Sequence, residues 1–509
     1  MREAWPVTEV RRAEAALMAQ LPDGVLMRRA AAGLARRCAL LLPQVYGARV
    51  LLLVGAGDNG GDALYAGAAL ARRGAAVRAL LLKPDRAHPG GLRALKQAGC
   101  RIVTTVPKQL DLAVDGIVGI GAKGALRPDA AAVVQALPRG VTTVAVDVPS
   151  GIDVDSGEVA GPAVRADVTV TFGCLKPGLL VDPAAARAGL VELVDIGLRP
   201  YLPKRPAVAA PDAEDIAAWW PHPSPGDDKY TRGVVGVASG SAQYAGAAVL
   251  SVGGALTGPA GFVRYAGAAA DHVRQRWPEA VITERVADAG RVQAWVAGPG
   301  LGVDDRAAGE LRDVLAAPVP VCLDADALTL LAGNPEWLQN RRAATVLTPH
   351  DREFARLADA QPSHVPPPSE PATRAADELA ARVGDEPAAR VGDEPAGRVA
   401  ETLRLARALG AVVLRKGNRT IVATPQGGAY VNPTGSAALA TAGTGDVLSG
   451  LIGSLLAAGV PAERAALAAA YAHGLAGRHS ATEGPVTAQT VMLALRSAIA
   501  GLAPAGHGR

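Results

Sequence analysis

Aromatic residues are scarce in this chain: they make up 3% of its 509 residues, and only three of them are phenylalanine. Its cores must therefore be built from Ala, Val and Leu. Cysteine is also rare. The four cysteines lie far apart and form no CxxC pair: Cys38, Cys100, Cys174 and Cys322. This spacing argues against a disulfide framework and a cysteine-based metal site, and it fits a reducing compartment.

Long hydrophobic runs and a strong charge imbalance are missing as well. No apolar run reaches the roughly 20 residues that a membrane-spanning helix needs. The first 25 residues are charged and amphipathic, without the apolar segment of a signal peptide. The net charge is only +4, and no stretch interleaves Lys or Arg with aromatic residues, as many nucleic-acid-binding surfaces do. The sequence therefore predicts a cytoplasmic protein that binds neither membrane nor nucleic acid.

Short apolar runs of strand length alternate with helical patterns through most of the chain, beginning with Arg49–Val54. This alternation predicts doubly wound α/β sheets whose ligands lie at the carboxyl ends of the strands. Further strands are predicted at 77–82, 102–106, 116–118, 143–146 and 167–171, and then at Val234–Ala238, Ala294–Ala297, 319–323, 344–347 and 411–414.

A chain of this length is expected to form at least two domains. The proline-rich stretch 200–211 is the predicted linker between them. Residues 360–399 interrupt the second α/β series with a proline-rich stretch and a tandem duplication of ARVGDEPA at 381–388 and 389–396. This composition predicts a flexible surface insertion without a catalytic role.

The glycine-rich turn GAGDNGGD at 55–62 follows the first strand and opens a helix. Glycines let backbone N–H groups approach a pyrophosphate closely, although the turn lacks the GxGxxG spacing of a dinucleotide loop. It also holds Asp58, Asn59 and Asp62, and side-chain oxygens at this density suit a hard cation. A purely structural turn, rich in Asp and Asn, is the alternative interpretation.

Two later stretches place an aspartate at a predicted strand end: Asp115 in DGIVGIGAKGA (115–125) and Asp147 in VDVPSGID (146–153). Doubly wound folds bind their ligands at that edge of the sheet. Either aspartate taken alone is equally compatible with an ordinary turn or a helix cap.

The second half contains a glycine turn with one carboxylate. Asp446 is the only acidic residue in 432–450, NPTGSAALATAGTGDVLSG. A Gly-Thr-Gly turn at a helix start presents unpaired N–H groups and the positive end of the helix dipole, a combination that binds phosphate. Asp446 could then accept a proton from a hydroxyl, with helix capping as the alternative. Five further patches lie beside predicted strands: KYTRG (229–233), GPGLG (298–302), LDADAL (323–328), LTPH (347–350) and LRKGNRT (414–420).

In order and spacing, the first-half patches resemble the epimerase domain of the bifunctional NAD(P)H-hydrate repair enzymes, over about residues 1–205. The second-half patches resemble the dehydratase domain of the same family over 215–509, apart from the insertion. The resemblance implies an α/β protein of two domains, a Rossmann-like doubly wound sheet and a ribokinase-like α/β sandwich. Two motifs depart from the family pattern: N-N-G-G-D-G reads DNGGDA at 58–63, and N-x-T-G-N-P-x-L reads NPTGSAAL at 432–439.

For the first domain, the resemblance implies epimerisation at C6 of hydrated NADH or NADPH, with a potassium ion bound by Asn59, Asp115 and Ser150. It implies contacts with the hydrated nucleotide from Asp58, Asn59, Gly60, Gly61, Asp62, Gly119, Ile120, Gly121, Ala122, Lys123, Gly124, Ala125 and Asp147. Proton transfer requires an acid–base group near the reacting carbon. Asp115 and Asp147 are the candidates, with Lys83 as a third.

For the second domain, the resemblance implies dehydration of the S epimer at the expense of ADP, giving NAD(P)H, AMP and phosphate. Asp446 would remove the hydroxyl proton, and the amides of residues 443–446 would hold the phosphoryl charge. Lys416, Gly417, Asn418, Arg419, Thr420 and Gly445 would bind the adenine nucleotide. Ala247, Gly302, His350 and Asp446 would contact the hydrate. Mg²⁺ is expected with ADP, as in other phosphoryl transfers.

Two alternatives stay open at the level of sequence. A ribokinase-like kinase of a small vitamin-type alcohol would carry the same GTGD turn, although the fused first domain favours repair. A non-catalytic nucleotide sensor is the other, and the intact Asp446 argues against it. In either case the expected partners are small molecules, and a homo-oligomer is predicted.

Overall fold

The computed structural model describes residues 1–121, 124–361 and 397–502. The described chain forms two compact units, residues 2–209 and residues 210–361 with 398–502. Most of the predicted insertion (362–396), together with Ala122 and Lys123, lies outside the described residues. Within the described ranges, no helix is long and apolar enough to cross a membrane.

The first unit alternates strands and helices in the following order: β1 Arg2–Ala4, α1 Val7–Met18, α2 Val25–Leu41, β2 Arg49–Val54, α3 Asp58–Arg72, β3 Ala76–Leu81, α4 Pro89–Gln97, β4 Arg101–Val103, β5 Leu112–Gly116, α5 Pro128–Gln135, β6 Thr142–Val146, β7 Val168–Phe172 and β8 Leu190–Val194. Strand β9, Val208–Ala210, ends at the boundary between the units.

Seven strands of the first unit form one parallel sheet in the order β4-β3-β2-β5-β6-β7-β8. This is the Rossmann-like, doubly wound order, in which the chain starts in the middle of the sheet and winds outward to both edges. The central strand β2 is apolar on both faces. Leu52 packs with Leu34 and Leu64 of α2 and α3, whereas Leu53 packs with Ala130 of α5 on the other face. The predicted fold class of this unit is confirmed.

Two strand predictions in this unit run past the observed strand ends. The strand expected at 102–106 is β4, Arg101–Val103. The strand expected at 116–118 is β5, Leu112–Gly116, so residues 117 and 118 already belong to the following loop. The apolar residues continue beyond the last hydrogen-bonded residue of β5, so their pattern does not show where the strand ends. Asp115 is therefore the penultimate residue of β5, and its side chain is completely buried.

The second unit contains the elements α6 Ala213–Trp219, β10 Val234–Ala238, α7 Ala245–Thr257, β11 Phe262–Ala266, α8 Ala270–Arg276, β12 Val281–Thr283, β13 Ala294–Ala297, α9 Asp305–Ala316, β14 Val321–Leu323, α10 Asp326–Gly333, β15 Thr345–Leu347, α11 Asp351–Asp359, α12 Gly397–Leu409, β16 Val412–Arg415, β17 Ile421–Ala423, β18 Ala429–Val431, α13 Thr444–Ala457, α14 Ala462–Glu483 and α15 Ala488–Ala500.

Its strands lie in the order β18-β17-β16-β15-β14-β13-β10-β11-β12. Only the pairs β16–β17 and β17–β18 of this series are antiparallel, and the remaining pairs are parallel. Parallel neighbours need crossover connections, which helices provide here. The main core joins strand residues such as Val235 and Val296 to helices α7, α13 and α14. The unit is the ribokinase-like α/β sandwich that the resemblance implies.

Helix α13 is central to this unit and is buried along most of its length. Its backbone packs directly against that of α7, because two glycines at the contact have no side chains that would separate the helices. A Cβ on Gly450 would lie 2.0 Å from the carbonyl oxygen of Ser251, and one on Gly254 would lie 2.2 Å from that of Val447. This close packing fixes the first turn of α13, where Asp446 lies.

Candidate active sites

The first unit contains a cavity of about 1230 Å³ beside the carboxyl ends of β2, β5 and β6. Its lining includes Gly55, Ile117 and Asp147, the residues that directly follow these three strands. The volume exceeds the ~300–1,000 Å³ typical of sites for drug-sized ligands. The cavity therefore has the place and the size expected for a dinucleotide-sized ligand in a doubly wound fold.

Most predicted ligand contacts of this unit line the cavity: Asp58, Asn59, Asp62, Gly119, Ile120, Gly121, Gly124, Ala125 and Asp147. Gly60 and Gly61 are not part of the lining. A Cβ on Gly60 would lie 2.5 Å from the carbonyl oxygen of Gly55, and one on Gly61 would lie 3.0 Å from the ring of His88. These two glycines allow α3 to pack closely, and their contact with a ligand stays a prediction.

Five cationic side chains also line the cavity: Arg11, Arg28, Lys83, Arg86 and Arg127. Six carboxylates share the lining, so the cavity is not uniformly positive, but individual cations of this set can pair with the phosphate groups of a ligand. Lys83 is thus placed to meet a ligand, and its acid–base role stays a prediction.

Asp147 has an unusual backbone conformation, with φ of 64°. This left-handed region is uncommon for residues other than glycine and often marks functional positions. One carboxylate oxygen, Oδ1, accepts hydrogen bonds from Thr171 Oγ1 at 3.0 Å, the Phe172 backbone N–H at 3.2 Å and Lys176 Nζ at 2.5 Å. No described residue donates to Oδ2. The protein therefore holds Asp147 by one oxygen and leaves the other for a ligand.

Lys176 is the partner that the sequence analysis missed. Its side chain is 1% exposed, and its ammonium group also donates to Thr171 Oγ1 at 3.0 Å and to the Phe172 carbonyl oxygen at 3.1 Å. A buried charge requires a partner of this kind. The sole signal in the sequence was a lysine in the otherwise uncharged stretch 168–181.

We expect that Lys176→Met leaves the Asp147 carboxylate without its cation. Breaking a buried ion pair typically costs ~3–5 kcal/mol of stability, and Asp147 also loses a donor that holds its Oδ1, so its second oxygen is no longer firmly positioned. Ligand turnover in the first unit should fall by about 10²-fold. Thermal unfolding and activity should be measured beside the exposed-lysine control Lys96→Met, and equal behaviour of the two variants would contradict this role.

Asp115 and Ser150 form a second buried group. Ser150 donates its backbone N–H to Asp115 Oδ2 at 2.9 Å and its hydroxyl to Oδ1 at 2.7 Å, and the Ile117 N–H donates to Oδ1 at 3.2 Å. Burial raises the pKa of Asp115 to about 6, against the effect of these hydrogen bonds. Both carboxylate oxygens are occupied, and Asp115 does not line the cavity.

Two of the three predicted cation ligands, Asp115 and Ser150, meet at this buried group, and Asn59 lies beside Gly119 of the neighbouring loop. The Ser150 hydroxyl lies 3.2 Å from the carbonyl oxygen of Val118, and a Cβ on Gly119 would lie 3.1–3.2 Å from side-chain atoms of Asn59. The described residues contain no cluster of three or more His, Cys, Asp or Glu that could hold a metal ion. One buried carboxylate with neutral oxygens nearby is a donor set that fits a large monovalent cation such as K⁺.

Asp62 is another buried acidic residue that lines this cavity. It is 8% exposed, and its Oδ1 has no hydrogen-bond partner among the described atoms. Burial raises the pKa of Asp62 well above its usual value, and the nearby carboxylates of Asp147, Asp58 and Glu14 act in the same direction. Asp62 therefore favours its protonated form. Glu14, which the sequence analysis did not select, also lines the cavity.

In the second unit, Asp446 lies in the first turn of α13, after Gly443 with φ of 85° as the N-cap. Glycine is required there, because a Cβ would lie 2.5 Å from Leu250 Cδ1 in addition to the left-handed backbone. Burial raises the pKa of Asp446 to about 7, and Asp324 and Asp326 raise it while Lys416 lowers it. A carboxylate with such a pKa is well suited to general base catalysis near neutral pH.

Lys416 connects the predicted nucleotide loop to this site. Its Nζ donates to Asp324 Oδ1 at 2.6 Å, and it would lie 3.1 Å from a Cβ on Gly445. Burial disfavours the ammonium form, but Asp324 and Glu353 outweigh it and raise the pKa of Lys416. Asp324, which is 1% exposed, lies in the LDADAL motif, but the motif alone does not indicate this contact with Lys416.

The other nucleotide-loop residues lie between β16 and β17. Thr420 Oγ1 donates to the Gly417 carbonyl oxygen at 3.2 Å, and the Asn432 N–H donates to the Thr420 carbonyl oxygen at 2.8 Å. A Cβ on Gly435 would lie 2.0 Å from the carbonyl oxygen of Asn418. The stretch that departs from the family pattern, NPTGSAAL, thus packs directly against the loop formed by Lys416, Gly417, Asn418, Arg419 and Thr420.

The predicted hydrate contacts lie on three elements. Gly302 donates its N–H to Asp326 Oδ2 at 2.9 Å, and Ala247 lies next to the same GPGLG turn, with its Cβ 2.8 Å from the Cβ position of Gly300. His350 is the N-cap of α11, where its Nδ1 accepts from the N–H groups of Arg352 and Glu353. Pro349, the residue before it, accepts a hydrogen bond from the Lys416 N–H at 2.8 Å.

Two family models match separate parts of this chain. Residues 23–178 match the model described as YjeF-related protein N-terminus, and residues 235–497 match the model described as NAD(P)H-hydrate dehydratase. Among solved structures, the ADP/ATP-dependent NAD(P)H-hydrate dehydratase from Bacillus subtilis co-crystallised with ATP/Mg²⁺ is 26% identical. That match covers 58% of this chain and 99% of that chain, with a TM-score of 0.46.

The similarity to curated proteins extends over the full length. The bifunctional NAD(P)H-hydrate repair enzyme Nnr of Mycobacterium leprae is 48% identical over 99% of this chain and 100% of its own. The enzyme of the same name from Mycobacterium tuberculosis strain H37Rv is 49% identical over 92% of this chain and 91% of its own. This chain therefore belongs to the family of bifunctional NAD(P)H-hydrate repair enzymes.

Proposed function

We propose that this chain repairs hydrated NADH and NADPH in two steps. The epimerase domain, residues 1–205, interconverts the R and S hydrates, and the dehydratase domain, residues 215–509, converts the S hydrate into NAD(P)H with ADP. The observation that carries this proposal is Asp446, whose carboxylate lies at the phosphate-binding start of α13 with a pKa raised to about 7 by burial. The function would be metabolite repair in the cytoplasm, and homo-oligomerisation stays a prediction.

In the epimerase domain, Asp147 rather than Asp115 fits the acid–base role. Epimerisation of a hemiaminal can proceed by removal of the C6 hydroxyl proton, opening of the C6–N1 bond with protonation of N1, and closure on the opposite face. Asp147 Oδ2 is free to accept the hydroxyl proton, whereas both oxygens of Asp115 are occupied. Asp62, whose pKa is raised by burial, can supply the proton to N1. Both carboxyl groups are regenerated on ring closure.

Asn59, Asp115 and Ser150 would hold K⁺ in this domain. A bound cation supplies a positive charge that compensates the buried Asp115 and stabilises the neighbouring loop that lines the cavity. Asp58, Asn59 and the 119–125 stretch would then contact the nucleotide, with arginine and lysine side chains of the lining at its phosphates.

In the dehydratase domain, Asp446 would accept the C6 hydroxyl proton as that oxygen attacks the β-phosphoryl group of ADP. AMP leaves, and a phosphate ester forms at C6. Loss of phosphate from C6 and a proton from C5 then creates the C5–C6 double bond of the dihydronicotinamide. The amides at the start of α13 stabilise the negative charge that develops on the phosphoryl group.

Mg²⁺ would accompany the nucleotide in this domain. Because the described residues form no acidic cluster for a metal ion, the phosphate groups of ADP would supply most of its ligands, as is usual for Mg²⁺. The bound ion would neutralise phosphate charge. Lys416, which lies next to Gly445, would add a second positive charge at the same place.

The proposed function is tested with purified protein, ADP and Mg²⁺. The R and S hydrates of NADH are supplied separately, and the near-UV absorbance of the dihydronicotinamide is followed together with AMP and phosphate. We expect the S hydrate to be converted at once and the R hydrate only after epimerisation. Phosphorylation of the substrate without recovery of NADH would indicate a kinase and would overturn the proposal.

The dehydration rate should depend on pH through Asp446. A base is active when deprotonated, so a pKa of about 7 predicts half-maximal kcat/KM near pH 7. Below that value the rate should fall by about tenfold per pH unit. An unperturbed aspartate would place this limb near pH 4. Initial rates with the S hydrate between about pH 5 and 9 decide the matter, and a flat profile down to pH 5 would rule out Asp446 as a base with a raised pKa.

A further inference from the structure

A strained turn at residues 324–326 separates β14 from α10 and lies beside Asp446. Ala325 has φ of 50°, which is uncommon for alanine. The turn also packs tightly, because a Cβ on Gly298 would lie 1.9 Å from the carbonyl oxygen of Asp324. Strain that is maintained by such close packing often marks a functional position.

The Asp324 carboxylate contacts two different elements of the site. Its Oδ1 accepts from Lys416 Nζ at 2.6 Å, and its Oδ2 accepts from Ser449 Oγ at 2.6 Å. Lys416 begins the nucleotide loop, and Ser449 lies in α13 one turn after Asp446. The Ser449 hydroxyl also lies 2.9 Å from the carbonyl oxygen of Gly445, so Asp324 is connected to the first turn of α13 itself.

The same turn reaches a third element. Asp326, two residues after Asp324, accepts the N–H of Gly302 at 2.9 Å and fixes the GPGLG turn that is predicted to contact the hydrate. The nucleotide loop, the helix of the proposed base and a predicted hydrate-binding turn are therefore all connected to residues 324–326.

We propose that Asp324 is a positioning residue for dehydration: its buried carboxylate joins Lys416 to Ser449 and so holds the Lys416 ammonium group against the start of α13, where Asp446 lies. This inference rests on the proposed dehydration. The charged groups that act on Asp446 are Asp324 and Asp326, which favour its protonated form, and Lys416, which opposes them. Lys416 is in turn influenced by Glu353 of α11.

Neutralising Asp324 has two effects of the same sign on Asp446. It removes a nearby negative charge, and it releases Lys416 from its ion pair so that the ammonium group can act on Asp446. Both changes make Asp446 a weaker base. For Asp324→Asn we expect the acid limb of kcat/KM for the S hydrate to move down by about one pH unit and the plateau rate to fall by about 10–100-fold.

Ser449→Ala separates the two roles of Asp324, which are its hydrogen bond to α13 and its charge near Asp446 and Lys416. This substitution removes the connection to α13 but keeps both Asp324 and Lys416, so the charge around Asp446 is preserved. We expect the acid limb to stay in place, with kcat lower by about 2–10-fold, as for the loss of one hydrogen bond, and KM for ADP within about twofold of the parent. The control is Asp313→Asn, which neutralises an exposed carboxylate on α9.

The decisive outcomes are distinguishable. If the parent chain is active and the acid limb of Asp324→Asn lies at the same pH as that of the parent, the positioning role is overturned and the proposed function stands. A parent chain without dehydratase activity would overturn the proposed function itself. If Asp324→Asn does not fold, as judged by its thermal unfolding, Ser449→Ala carries the test, and kinetics identical to those of Asp313→Asn would overturn the inference.

Discussion

Asp446→Asn should abolish dehydration of the S hydrate while leaving epimerisation unchanged. Asparagine has the size of aspartate and keeps the first turn of α13 intact, but its amide cannot accept the hydroxyl proton. Loss of a general base typically removes about 10²–10⁴-fold of the rate. The measurement is recovery of NADH absorbance from the S hydrate with ADP, beside chromatographic separation of the two epimers.

The stability of this variant provides an independent check. Asp446 has a folded-state pKa of about 7 against an ordinary value of 3.8, so its ionisation opposes folding. That penalty grows as the pH rises through this interval and is complete above pH 7. Asp446→Asn removes it, and the variant should unfold at an equal or higher temperature than the parent at pH 8. Near-normal dehydration in a well-folded variant would contradict the proposed mechanism.

Asp147→Ala should have the opposite phenotype. The S hydrate should still be converted at the parent rate, and the R hydrate should accumulate, because epimerisation loses about 10²–10⁴-fold with its base. In a mixture of epimers, absorbance should therefore rise to the level set by the S fraction and then stop. Early time points matter because uncatalysed epimerisation adds a slow background.

A second substitution separates the loss of the base from the backbone effect. Residue 147 has φ of 64°, a conformation that asparagine tolerates better than alanine. Asp147→Asn should therefore be better folded than Asp147→Ala and equally inactive as an epimerase. Asp195→Asn, at an exposed loop position of the same unit, is the matched control. Epimerisation at the parent rate in Asp147→Asn would exclude Asp147 as the base.

Local motifs were sufficient to predict the fold class, and they pointed to residues that the structure places at strand ends and at a helix start. The GTGD turn predicted the helix start at Thr444, because a short glycine turn before an apolar run usually marks the N-terminus of a helix. The aspartates at strand ends were predicted from the rule that parallel sheets bind ligands at their carboxyl edge. Asp147 does line the cavity of its unit.

The residues that the sequence analysis missed act over long separations in the chain. Lys176 is 29 residues from Asp147, and Asp324 is 92 residues from Lys416 and 125 from Ser449. A single lysine or aspartate near a turn has many ordinary roles, and only the folded structure shows which charge it neutralises. Gly60 and Gly61 show a second limit, since their motif predicts ligand contact but not the close packing of α3 that they also allow.

The close packing of α7 against α13 also constrains how the dehydratase unit can move. Gly254 and Gly450 bring the two helices together without intervening side chains, Gly258 leaves room for the side chain of Ser454, and Gly453 leaves room for that of Val296 of β13. A helix held in this way cannot slide or rotate without backbone collisions. The amides at its start are thus fixed before any nucleotide arrives.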